Sequence, residues 1–248
     1  MDQAPKRAIL HIGTHKTGTT SFQHWLRIHH KRLAIEHGID IYEGLFQNNR
    51  ETALLCADGS KQYPTMRQIP EWNTEHWQHQ VTQHVVSQVE GQATTLLISS
   101  ETLSFLRNPK ELSTLAKLLA TREVTVVVTL RERSNYLRSW AEHLTRDGFT
   151  LSDDPNSFAY VQPDSWLADY DSLLAAYRNQ FGQESVRVVD YEAEMKMHGS
   201  VIPGIMKHIV ATTENLPEWR GVFKNPSKQF SEKRKSILQR VIRRLTRR

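Results

Sequence analysis

Ala8-Ile-Leu-His-Ile-Gly-Thr-His-Lys-Thr-Gly-Thr-Thr-Ser21 is the stretch on which the fold turns. Ala8 to Ile12 is apolar and short enough for a buried strand, and Gly13 to Gly18 reads as a turn. Thr19 to Leu33 then reads as a helix, with Phe22, Trp25, Leu26 and Leu33 as its apolar stripe. A strand, a glycine loop and a helix in that order aim backbone N–H groups at the start of a helix, where they and the helix dipole favour phosphate. Gly13, Thr14, His15, Lys16, Thr17, Gly18, Thr19 and Thr20 are therefore candidate ligands of a phosphorylated molecule. The loop departs from the nucleoside-triphosphatase pattern G-x-x-x-x-G-K-[ST], because Thr19 follows Gly18 and the lysine, Lys16, precedes it by two residues.

Working outward, strands and helices alternate. Ile39 to Tyr42 is a second strand, and Glu43 to Thr74 is polar and without a period. Glu75 to Glu90 reads as a helix carrying Trp77, Val81, Val85 and Val89, closed by Gly91. Thr95 to Ser99 and Glu123 to Leu130 are aliphatic and β-branched, as buried parallel strands are. Helices are expected over Pro109 to Arg122, Ser134 to Thr145 and Trp166 to Phe181; Phe149 to Ser165 is loop-like, and Ser185 to Asp190 is a last strand. The alternation predicts an α/β fold: an open parallel sheet of about five strands with helices on both faces.

Such sheets bind ligands at the carboxyl ends of their strands. There the sequence places the glycine loop, Ser99-Ser-Glu101, Arg131 and Tyr191-Glu192. Neither middle strand ends in an Asp that could hold Mg²⁺ through water, and Glu101 suits that role poorly. A donor neutralised by lysine, arginine and hydroxyl groups, with no metal, fits the set better.

Bulk properties narrow the class. The chain has 248 residues, 38% of them hydrophobic, enough for one substantial core, and a single cysteine, Cys56, so no internal disulfide can form. One domain is expected over residues 1–231. The N-terminal apolar stretch is too brief for a signal-peptide core or a membrane span, which makes a cytoplasmic location the expectation. Of the net charge of +5, Glu232 to Arg248 carries eight basic residues against one acidic, leaving the rest near neutral at −2. Basicity is a property of the tail, which argues against nucleic acid as a partner while leaving peripheral contact of the tail with an anionic lipid surface open.

The segment Leu10 to Gln23 resembles the 5′-phosphosulfate loop of sulfotransferases that use 3′-phosphoadenosine 5′-phosphosulfate (PAPS), in the His-Lys-Thr-Gly-Thr-Thr version of the bacterial branch. Val126 to Trp140 is similar to the family's 3′-phosphate motif: a strand, Arg131 at its end and Ser139 eight residues on. Eight residues are about two helical turns, so the serine can return beside the strand end. Val188-Val-Asp-Tyr-Glu192 resembles a third, weaker element near the nucleotide, with Tyr191 in it, although Tyr191 also suits core packing. The resemblance implies a P-loop-type fold and transfer of a sulfuryl group from PAPS to a hydroxyl or amine, with adenosine 3′,5′-bisphosphate as product and no metal. Lys16 and Glu101 take the catalytic roles in that reading, Glu101 as general base with His15 as the lesser candidate, although Glu101 equally suits a structural carboxylate capping the next helix turn. The acceptor, a carbohydrate or small metabolite, is not encoded in any motif, and the oligomeric state is open.

Other readings stand beside it. An ATP- and Mg²⁺-dependent phosphotransferase shares the loop, and a non-catalytic basic binding module would use the tail. His76 with His79 and His29 with His30 lack the ligand partners of a metal site and suit a polar helix face. Arg131 could pair with Glu132 or Asp147, and Arg133 and Arg138 suit the surface. Phe223 to Lys228 resembles the Asn-x-Ser stretch of bacterial members, through which Lys224 or Lys228 would reach the nucleotide. Ser231 to Thr246 reads as an amphipathic basic helix packed on the domain.

Overall fold

The structure, a computed structural model, describes residues 5–222; the expectations for Lys224, Lys228 and the basic helix lie outside the described residues. Five strands form one sheet: β1 (Arg7–His11), β2 (Ile39–Ile41), β3 (Thr95–Ser99), β4 (Glu123–Leu130) and β5 (Val186–Asp190). Their order is β2-β3-β1-β4-β5 and every pairing is parallel, so the α/β fold is as the sequence predicts. Parallel strands need cover on both faces, and alternation along each strand provides it. Ala8, Leu10, Leu96, Ile98, Val126 and Val128 point into one core, while Ile9, Leu97, Val127 and Val189 point into the other.

The second core is covered by α1 (Thr19–His37) through Phe22, Trp25, Leu26 and Leu33, together with α9 (Ile202–Met206). The larger core takes α2 (Glu51–Cys56), α4 (Glu75–Val89), α5 (Pro109–Leu118), α6 (Arg133–Arg146) and α7 (Tyr170–Phe181). Two short helices complete the described chain, α3 (Pro64–Gln68) and α8 (Tyr191–His198). Among the described residues, no helix is long and apolar enough to cross a membrane.

Helix boundaries differ from the sequence reading where side chains override periodicity. The stretch Glu43 to Thr74 contains α2, α3 and a 3₁₀ turn at Gln47–Asn49 rather than irregular chain. No period marks α2 because all six of its residues are buried, including Glu51. Trp166 to Phe181 is broken: Trp166–Ala168 is a separate 3₁₀ turn, and the Asp169 carboxylate accepts from Ser172 N–H to start α7 anew. The helix expected to reach Arg122 stops at Leu118. Arg122 instead donates to the carbonyls of Arg7, Val89, Gly91 and Ala93 and gathers the amino-terminal edge of the sheet.

Candidate functional site

β1 turns toward β2 on one side of the sheet and β4 toward β5 on the other, so the crevice between β1 and β4 is the switch point at which ligands bind in open α/β sheets. The loop after β1 runs along β4 before it turns: Ile12 N–H donates to Val127 O (3.0 Å), and Thr14 N–H and Oγ1 both donate to Thr129 O (3.2 Å each). This pairing holds the loop against the strand that ends in Arg131. Gly13 is required by proximity, since a Cβ there would stand 2.8 Å from His11 Nε2. Gly18 is required by conformation: it sits at φ +81° as the N-cap of α1.

Lys16 is the exception in the loop. It holds φ 65°, a left-handed conformation that costs a non-glycine residue energy and that a surrounding structure must impose. The start of α1 has no side-chain cap and no acidic residue in its first turn, and the buried Thr19 Oγ1 has no hydrogen-bond partner among the described residues. A helix of 19 residues thus presents an open, positive N-terminus beside a lysine.

Arg131 reaches the same place from β4. Its Nη1 donates to Lys16 O (3.3 Å), its Cζ lies 5.0 Å from the Tyr191 ring centroid, and Glu192 is its carboxylate partner at 3.7 Å, rather than Glu132 or Asp147. Glu132 caps α6 by accepting from Ser134 and Asn135 N–H. Arg133 pairs with Asp171 and Arg138 donates to Asn135, both at the exposed surface. Tyr191 packs against the second core as well as under Arg131. Ser139 is half-buried on α6, and its side chain makes no hydrogen bond to Arg131 among the described residues.

Two residues near the loop were missed in the sequence. His143 and Arg146 follow Ser139 at four and seven positions, so the three share a face of α6. Burial lowers the Lys16 pKa first, with Arg146 and then Arg131 adding to it while Asp147 and Glu142 oppose. Lys16, Arg131 and Arg146 thus share the mouth of the loop, with Asp147 paired to Arg146 (3.2 Å) and Glu192 to Arg131 (3.7 Å). The signal available in the sequence was the i, i+4, i+7 spacing from Ser139. His15 is wedged between Phe105 (4.7 Å, stacked) and Trp140 (4.6 Å), and its pKa falls to about 3, by burial above all and then by His143 and Lys16. A neutral ring packed this way is a poor base.

Glu101 follows β3 and opens a 3₁₀ turn, Glu101–Phe105. Its Oε2 accepts from Gln23 Nε2 of α1 (3.0 Å) and its Oε1 from Asn48 Nδ2 (2.9 Å). Burial raises its pKa above the usual carboxylate value, while its own backbone, Gln23 and Asn48 act against the rise. Asn48 is held in turn by the turn before α2. Glu51 accepts there from Tyr42 OH (2.9 Å) and from the N–H groups of Leu45 (3.1 Å) and Phe46 (3.4 Å).

No family model matches the chain, and no curated protein matches it. Among solved structures it is similar to a sulfotransferase from Alicyclobacillus acidocaldarius. The TM-score is 0.55 and the identity 14%, over 98% of this chain and 95% of that one. An identity so low speaks to architecture. The chain has the P-loop-type α/β fold of that sulfotransferase, along nearly its whole length.

Proposed function

We propose that this chain is a sulfotransferase that moves a sulfuryl group from PAPS to a hydroxyl or amine of an acceptor. The observation that carries the reading is the hydrogen bond from Arg131 to Lys16 O, which joins the glycine loop and the β4 end into one basin. A donor with phosphate groups at both ends needs two anion sites within one nucleotide's length. The orphaned Thr19 hydroxyl and the uncapped start of α1 fit the donor's 5′ end.

In this reading Lys16, Thr19, Thr20 and the N–H groups of Gly13 to Gly18 hold the 5′-phosphate, and Lys16 stabilises the charge that grows there. Arg131 and Ser139 hold the 3′-phosphate, with Tyr191 beneath Arg131. The donor supplies the sulfuryl group: its S–O bond to the 5′-phosphate breaks as the acceptor atom bonds sulfur, and adenosine 3′,5′-bisphosphate leaves. Glu101 accepts the proton that the acceptor hydroxyl releases, and its raised pKa makes it a better base than an exposed carboxylate.

The test is a thermal-shift comparison of adenosine 3′,5′-bisphosphate with ATP–Mg²⁺ on the full chain, repeated on Lys16→Ala. The bisphosphate is expected to raise the melting temperature and ATP–Mg²⁺ to do so less. Lys16→Ala should lose transfer while melting as the wild type does in the absence of nucleotide. A larger shift with ATP–Mg²⁺, or turnover retained in the variant, would overturn the assignment.

A further inference from the structure

We propose that a second cavity, between Ser60–Lys61, Phe105 and the start of α5, is an oxyanion subsite that takes a carboxylate or sulfate group borne on the acceptor. The cavity has a volume of about 290 Å³, and two cations, Lys61 and Arg107, line it with one carboxylate, Glu111. That volume suits a small charged group rather than a nucleotide.

Two cations face one ring there: Lys61 Nζ lies 4.1 Å and Arg107 Cζ 5.2 Å from the Trp166 ring centroid. Like charges brought together raise each other's energy, and the aromatic face together with the Glu111 and Asp169 charges offsets part of that. Among the described residues neither cation has a carboxylate within ion-pair distance. The two nearby acids, one of them in the cavity wall, spend their hydrogen bonds on groups other than the Lys61 and Arg107 side chains. Glu111 accepts from Tyr63 OH and from the N–H groups of Asp58, Arg107 and Asn108, and Asp169 starts α7. Arg107 donates Nη1 to Asp169 O (2.6 Å) and Nη2 to Leu167 O (3.4 Å), which fixes its plane, while its buried Nε has no partner. Burial and then the Arg107 charge lower the Lys61 pKa while Glu111 and Asp169 act against them, and an anion held between the two cations would favour the charged ammonium further.

The cavity shares a wall with the glycine loop. Phe105 lines it and also stacks on His15, and Phe105 closes the turn that Glu101 opens. An acceptor anchored here therefore lies one aromatic layer from the loop. That the anion belongs to the acceptor rests on the sulfuryl-transfer reading; that the cavity binds an oxyanion does not.

Calorimetric titration of sodium benzoate and sodium sulfate into the full chain, with adenosine 3′,5′-bisphosphate at saturation to fill the glycine loop, tests both. We expect benzoate to bind more tightly than sulfate, and Lys61→Gln to weaken it about tenfold with bisphosphate affinity unchanged. Lys61→Arg should keep most of the affinity. Tighter binding of sulfate would mark the ligand as a free inorganic anion and overturn the acceptor assignment. Binding of neither salt, or equal binding in Lys61→Gln, would remove the subsite altogether. If the bisphosphate does not bind but Lys61-dependent benzoate binding persists, the donor reading falls and the oxyanion subsite stands.

Discussion

Glu101 is where a single substitution says most about the chemistry. Each of its carboxylate oxygens accepts from a side-chain amide, one from α1 and one from the turn at Gln47–Asn49. Glu101→Gln keeps the shape but puts an NH₂ group against Gln23 or Asn48, and it removes the basic oxygen. If Glu101 takes the proton, kcat should fall by roughly a hundredfold or more with adenosine 3′,5′-bisphosphate affinity little changed. A modest loss in kcat would reduce Glu101 to a strut between α1 and the turn. The position of Glu101 after β3 was legible in the sequence, because strand ends deliver functional groups in this class of sheet. Its partners were not, since Gln23 and Asn48 lie 78 and 53 residues away and carry no pattern that links them to it.

Among the elements, the turn between β2 and α2 is the one whose stability bears on the site. Glu51 is fully buried, and burial raises its pKa, yet three donors converge on its carboxylate. Glu51→Ala strips partners from Tyr42 OH and from the N–H groups of Leu45 and Phe46. It should cost about 2–4 kcal/mol in urea unfolding, a buried unsatisfied donor being worth about 1–3 kcal/mol. Because Asn48 rides on that turn, kcat should drop alongside stability; unchanged kcat would uncouple the turn from Glu101. None of this showed in the sequence, where a buried glutamate among polar residues looks like any solvated one. On α6 the opposite held: its amphipathic spacing was readable. His143 and Arg146 went unremarked only because charged residues on a helix usually face water.

At the scale of the whole molecule, the alternation of apolar strands with helices was enough to foresee a parallel sheet covered on both faces, whereas the one core expected is two, one on each face. Side-chain hydrogen bonds, which have no period, decided the stretches read incorrectly. The central histidines give this architecture a pH signature. His11 is fully buried between Ser99 Oγ (2.8 Å) and Thr129 Oγ1 (3.4 Å), and burial drops its pKa to about 3, as it does for His15. Between about 6.5 and about 3 the unfolded chain binds protons that the folded one refuses, so stability falls as pH falls, by up to about 1.4 kcal/mol per pH unit for each histidine. Glu51 and Glu101 act in the opposite sense, their pKa values being raised. The measurement is therefore the difference in slope between wild type and His11→Gln, from urea unfolding at pH about 6 and about 4.5. The variant should show the shallower slope, and equal slopes would mean that His11 already titrates freely. The left-handed backbone at Lys16 carries a last consequence. If the loop takes phosphate as proposed, an arriving phosphate would meet a backbone already turned to receive it, with little loop entropy left to lose on association.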